Sequence, residues 1–184
     1  MRKLTAGLFH SIDGVVEAPN LWQFDAFDDE LGGVLGKTLS VTDTVIMGRK
    51  GYEAWEQDFG QGPGDPFFGP FINNVQKFIA SRTLKGKLAW QNSTLIEGDV
   101  EAFVRELKQR SGGEIAVMGG ISLVRQLFLN GLLDELTLIT HPVIAGKGQR
   151  HLFQPDDPIT RLELKSSVST SKGNVVATYG LRPA

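Results

Sequence analysis

Apolar positions along this chain keep two rhythms, runs that suit strands and spacings that suit helices, and they alternate from the N-terminus. Leu4 to His10 mixes small, β-branched and aromatic residues and stops at Ser11-Ile12-Asp13-Gly14, where Asp-Gly supplies turn chemistry, so a strand running into a loop is expected. From Phe27 to Leu39, Leu31, Val34, Leu35 and Leu39 recur at helical spacing behind Asp28, Asp29 and Glu30, acids suited to the positive end of a helix. Thr44 to Met47 reads as a strand buried on both faces, and after Gly48-Arg49-Lys50-Gly51 a short helix carries Tyr52 and Trp55. Gly60 to Gly69, dense in glycine and proline, reads as an irregular surface loop.

The same grammar continues downstream. Gln76 to Ala80 is a strand ended by Ser81-Arg82-Thr83, and Leu88 to Ile96 holds another. Asp99 to Arg110 is a helix with Val100, Phe103, Val104 and Leu107 on one side and a Gly112-Gly113 stop. Ile115 to Met118 repeats the buried strand, Gly119-Gly120 follows at once, and Leu123, Val124, Leu127 and Phe128 line a helix ending near Asn130-Gly131. Leu136 to Val143 is a strand, and Arg161 to Val168 with Val175 to Leu181 form a hairpin across Ser-Lys-Gly-Asn. Strands alternating with helices, then a terminal hairpin, predict an α/β fold: a largely parallel sheet with helices on both faces and an antiparallel edge. Ligands of such sheets bind beyond the carboxyl ends of the strands.

Composition narrows the function classes. The 184 residues fit one domain, and 41% hydrophobic with 22% charged residues is ordinary globular usage. Nineteen basic against 21 acidic side chains leave a net charge of -2 with no basic block, which argues against nucleic acid. The absence of cysteine removes disulfides and thiolate chemistry, and no signal-like or bilayer-length apolar stretch is seen, so a cytoplasmic protein is expected.

Candidate chemistry gathers at the strand ends. Glycines let a phosphate approach the backbone, and free N–H groups at a helix start bind anions, so Met118-Gly119-Gly120 before Ile121 and Ser122 suits a nucleotide as well as it suits a plain tight turn. Met47-Gly48-Arg49 repeats the design, and two such helix starts suit the two ends of a dinucleotide. Arg49, and Ser81 with Arg82, offer guanidinium forks and a hydroxyl for phosphate, which favours a 2′-phosphate and hence NADPH over NADH. Asp13, with Trp22 behind it, is either a substrate-binding carboxylate on a flap or an acceptor of turn hydrogen bonds. His10, His141 and His151 lack the spacing of a shared metal site, so no metal is expected, and no serine-hydrolase elbow is present.

At these residues the sequence resembles the dihydrofolate reductase-like superfamily, and within it the C-terminal reductase domain of riboflavin-biosynthesis proteins, here in stand-alone form. The matching stretches are Ser11 to Gly14, Asp43 to Glu53, Ala80 to Leu84, Val117 to Gly120, and Gly131 to Leu136 through His141-Pro142-Val143 and Gly146-Lys147-Gly148 to Leu152-Phe153. The resemblance implies an eight-stranded three-layer α/β/α fold, an NADPH site, hydride transfer to a pyrimidine- or pterin-like substrate as in the phosphoribosylaminouracil reductase of riboflavin biosynthesis, and frequently a homodimer. Carried over by position, Gly48, Arg49 and Lys50 meet the adenosine phosphates, and Ser81 and Arg82 hold the 2′-phosphate. Gly119, Gly120, Ile121, Ser122 and Leu123 wrap the pyrophosphate and nicotinamide side, across a Gly-Gly peptide that is cis in dihydrofolate reductases. Thr140 is a substrate-site candidate and Trp22 a pocket wall. The single acid that dihydrofolate reductases carry on the first helix has no one counterpart among Asp25, Asp28, Asp29 and Glu30, and Asp28 joins Asp13 as a catalytic candidate. The rival readings are a nucleotide-binding homodimer without turnover and a plain dihydrofolate reductase.

Overall fold

Eight strands hydrogen-bond into one sheet, in the order β4-β3-β2-β5-β1-β6-β8-β7. They are β1 (Leu4–Ser11), β2 (Thr42–Gly48), β3 (Gln76–Ala80), β4 (Ser93–Leu95), β5 (Glu114–Met118), β6 (Glu135–His141), β7 (Leu162–Ser169) and β8 (Val175–Leu181). A computed structural model describes residues 1–62, 64–146 and 148–182, so Lys147 of the matched run lies outside the described residues. Pairing is parallel from β4 through β6, and β8 then runs antiparallel to both β6 and β7. The expected parallel sheet with an antiparallel hairpin edge is the architecture found.

Side chains alternate across the sheet, and each face collects its own helices. On one face Leu4, Ala6, Ile46 and Val117 pack with Val104 and Leu107 of α4 (Val100–Gln109) and with Val124 and Leu127 of α5 (Ile121–Leu129). On the other, Val45, Met47 and Ile79 pack under Tyr52 of α2 (Arg49–Trp55) and Ile72 of α3 (Gly69–Asn74), while Ile139 and Val176 pack under Leu31 of α1 (Asp29–Val41). Two helix starts are capped by side chains: the carboxylate of Asp99 accepts from the Ala102 N–H at 2.8 Å, and that of Asp28 from the Leu31 N–H at 2.8 Å. Among the described residues no helix is long and apolar enough to cross a membrane.

Helix α3 is the element that glycine and proline hid. Pro70 sits in its first turn, where the missing N–H is not needed. The preceding stretch is ordered by aromatic contacts rather than by repeat pattern: Phe68 stands edge-on to Trp55 and to Phe59, with ring centroids 5.4 Å apart in both pairs. At the far end of α3, Lys77 of β3 is fully buried beneath the helix and donates to the carbonyls of Ile72 and Val75 at 2.8 and 3.0 Å, with its ammonium 4.7 Å from the centre of the Trp90 ring. It therefore closes the orphan carbonyls of that helix end.

Burial pushes the Lys77 ammonium down to about 8, below its ordinary 10.5. Between those values the unfolded chain holds the proton and the folded chain has released it, so stability rises with pH across that window, by no more than about 1.4 kcal/mol per pH unit. Urea unfolding from pH 7 to 10.5 should show this rise relative to a Lys77→Met variant; parallel curves for the two proteins would remove the assignment.

Candidate functional site

The carboxyl ends of β2 and β5 lie side by side, with Met47 in register with Met118, and the chain leaves them toward opposite faces, into α2 and α5. The two exits press backbone against backbone. A Cβ on Gly51 would lie 2.6 Å from Gly119 Cα and closer still to its carbonyl, and one on Gly120 would lie 3.1 Å from Gly48 N. Gly119 has φ +61°, the left-handed region that glycine enters without strain. Neither helix start is capped by a side chain. The paired glycine exits are thus one seam, and Gly51, in the first turn of α2, is its tightest member. The Gly119–Gly120 peptide is trans, since the described residues contain no cis bond, which corrects the cis expectation.

Beside the seam the sheet opens. β1 pairs with β5 only through Leu4, Thr5 and Ala6, and from Gly7 to Ser11 it pairs with β6 alone. The two strands part toward their carboxyl ends, the kind of crevice in which open α/β sheets hold ligands. Gly7, in the middle of a central strand, is accordingly exposed, with no atom within 4 Å of where its Cβ would stand. Its neighbour in register, Thr137, shares a 2.8 Å hydroxyl hydrogen bond with Thr178, so the strip next to the opening is polar. Above this face Phe67 reaches α1, its ring 3.7 Å from the place of a Cβ on Gly36.

On the opposite face, a cavity of about 710 Å³ lies between the start of α5, lined by Ile121, Ser122 and Arg125, and a wall formed by residues 149–155. Two arginines in this lining, Arg125 and Arg150, were not singled out by pattern. Each is oriented by a carboxylate, Arg125 by Asp157 and Arg150 by Glu17. Leu123, expected against the cofactor, instead turns its side chain into the core.

Arg49 is half-exposed and pairs within its own helix, Nη1 lying 3.0 Å from a carboxylate oxygen of Glu53. Lys50 is exposed. Ser81 stands just past β3, where Gly48 is in register with Ala80, and its hydroxyl accepts from the N–H groups of Thr83 and Leu84. Arg82 beside it is exposed and enters no ion pair among the described residues.

The acids sit differently from their expected roles. Asp13 accepts from the Ser11 hydroxyl at 2.6 Å and from the N–H groups of Ala145 and Gly146, both at 2.9 Å, and these bonds hold its carboxyl far below the usual range. Asp28 caps α1 and accepts from the Thr170 hydroxyl at 2.5 Å and from Asn174 at 3.1 Å, which again favours the carboxylate. Asn174 also accepts from Nδ1 of the fully buried His141 at 2.5 Å, and Gln23 donates to Nε2 at 3.1 Å, so the ring is neutral, as its burial also demands. Trp22 is buried against that ring and donates to the Glu17 carbonyl at 2.8 Å, a loop anchor rather than an open pocket wall.

Thr140 lies on the other face of β6 from His141, 3.3 Å from His10 Nδ1, so the structure separates it from Asp28. His10 in turn stands near His151 across the Cβ-free edge of Gly14, and burial lowers its affinity for a proton. Among the described residues no group of three or more potential metal ligands converges.

Comparison with known proteins places this arrangement. The chain is 27% identical to the uncharacterized protein YyaP of Bacillus subtilis (strain 168), over 97% of its own length and 94% of that protein's. Its fold superposes on a pyrimidine reductase-like protein of Corynebacterium diphtheriae with a TM-score of 0.69 at 15% identity, covering 100% of this chain and 93% of that one. It also superposes on RibD of Acinetobacter baumannii with a TM-score of 0.72 at 13% identity, covering 100% of this chain and 59% of that longer one. At such identities the structural likeness is one of fold. The model of the RibD C-terminal domain matches residues 2–176, and the chain belongs to that family.

Proposed function

We propose that this protein is an NADPH-dependent reductase that passes hydride to a pyrimidine- or pterin-like heterocycle, working in the cytoplasm as a homodimer. The observation that carries the reading is the glycine seam: two helix starts with uncapped N–H groups, held so close that no side chain fits between them, next to a parted pair of strands. Such backbone cradles suit the phosphates of a dinucleotide. Exposed Arg82 and the turn at Ser81 give the 2′-phosphate a partner at the same end of the sheet. Bound NADPH would supply the hydride; the residues at Gly7 and the seam would hold the reacting rings together in the crevice. The likeness in fold to a protein described as pyrimidine reductase-like supports the substrate class.

One observation favours a second reading, a nucleotide-binding protein without turnover: both catalytic candidates, Asp13 and Asp28, have their oxygens engaged by the fold. NADPH oxidation across a panel of pterins, pyrimidines and the riboflavin precursor separates the two, since only the reductase consumes the cofactor.

The seam itself is tested by Gly51→Ala, which forces the two backbones apart. We expect a stability loss of about 1–3 kcal/mol and loss of the NADPH-dependent fluorescence change. Gly33→Ala, in open space on the exposed side of α1, should instead stabilise by up to about 1 kcal/mol and leave NADPH binding intact. A Gly51→Ala protein that binds NADPH like the wild type would sink the reading. Arg82→Ala should weaken NADPH about tenfold or more while leaving NADH nearly unchanged, as loss of a charged hydrogen bond to the 2′-phosphate requires; an equal effect on both nucleotides would place that phosphate elsewhere.

A further inference from the structure

Residues 142–146 and 148–150 form no regular element, yet this stretch is fastened to the segment that follows β1. The Ile12 N–H donates to the Val143 carbonyl at 2.9 Å, the Val16 N–H donates to the Arg150 carbonyl at 3.0 Å, and Val15 forms an isolated β-bridge with His151. The ties at Arg150 and His151 already belong to the 149–155 wall that faces α5 across the 710 Å³ cavity, and the tie at Val143 precedes it. Whatever fixes this stretch therefore fixes the width of the cavity.

The ties differ in strength. Glu17 and Arg150 make an ion pair at 2.6 Å, but both side chains are partly exposed, and such pairs contribute little in water. Asp13 is the stronger anchor. Its carboxylate takes two backbone N–H groups from Ala145 and Gly146 and a hydroxyl from Ser11, which is itself fully buried and accepts the Val15 N–H at 2.9 Å. Bonds to an ionised acceptor are the strong kind. Gly146, with φ +79° and open space around it, gives the backbone no side-chain support of its own there. Without the clamp the wall would hang on weaker ties.

We propose that Asp13 is a positioning residue for the nucleotide: through Ala145 and Gly146 it fixes the wall that faces α5, and it exchanges no proton with substrate. This rests on reading the α5 cavity as part of the dinucleotide site. It converts the first-loop carboxylate from a candidate acid into a determinant of cofactor affinity.

The test titrates NADPH by fluorescence into the whole protein and its Asp13→Ala and Asp13→Asn variants, at a temperature where all three are folded, with tryptic cleavage at Arg150 followed in parallel. Asp13→Ala should weaken NADPH by about tenfold or more and speed cleavage at Arg150. Asp13→Asn keeps one acceptor oxygen but loses the charge and sets an NH2 against the remaining donor, so it should fall between the wild type and Asp13→Ala in both. A lower melting temperature for Asp13→Ala with unchanged NADPH affinity would show a role in stability alone and overturn the proposal. So would cleavage at Arg150 in Asp13→Ala at the wild-type rate, because the wall would then be held without the carboxylate. If the wild type binds no NADPH, the dinucleotide reading fails and takes the nucleotide role with it, and the cleavage comparison still shows whether Asp13 holds the wall.

Discussion

Gly51 and Gly119 touch backbone to backbone, and most of the site follows from that contact. β2 and β5 are neighbours in register, but α2 leaves toward one face of the sheet and α5 toward the other. Two chains that exit adjacent strands in opposite directions must pass each other at the sheet edge, and side chains there would hold them apart. Glycine at 48, 51, 119 and 120 removes that obstacle. The passage leaves both helix starts without side-chain caps, because the residues at the cap positions are themselves glycines. Under the proposed reading, the phosphate cradle is therefore a by-product of the packing, and its position at the carboxyl ends is fixed by strand direction.

A second constraint acts beside it. β1 follows β6 along its whole length but parts from β5 after Ala6, so the sheet splits where the two glycine exits stand. A split sheet needs its flanks held, and a polar network does this on the β6 side. Asp28, Thr170, Asn174, His141 and Gln23 form one continuous hydrogen-bonded set that ties the start of α1 to the β7–β8 turn and to the end of β6. Every member with a buried polar atom has a partner, and such a network rigidifies where a half-satisfied one would destabilise.

How much of this could be read from the sequence depends on what kind of information each feature carries. The buried runs Thr44 to Met47 and Ile115 to Met118, the helix beginning at Asp99 and the C-terminal hairpin are local signals, and the structure contains each within a residue or two. Helix α3 is not local: its start is written in Gly69 and Pro70, and rings distant in sequence, Trp55 and Phe59, hold it in place. The seam was legible as two glycine exits, but the tight approach of Gly51 arises only when β2 and β5 become neighbours. Face assignments fail for a simpler reason: Thr140 and His141 are adjacent, and a strand sends adjacent side chains to opposite faces. The register decided that His141, and not Thr140, joined Asp28.

The acids show why pattern cannot assign a catalytic carboxylate. Asp13 stands in the loop after β1 and Asp28 at the start of α1, and such places offer unpaired N–H groups and hydroxyls. Each accepted bond stabilises the anion, and a carboxyl stabilised as the anion holds a proton less readily. Anchoring and proton donation are thus competing uses of one side chain, and a sequence shows the side chain without its donors. Here the donors are Ser11, Ala145 and Gly146 for Asp13, and Leu31, Thr170 and Asn174 for Asp28. The loop carboxylate and the helix carboxylate are both spent on geometry. Under the proposed reductase reading, catalysis then rests on how closely the parted strands and the glycine seam hold two rings together, and it draws little on acid strength in the protein.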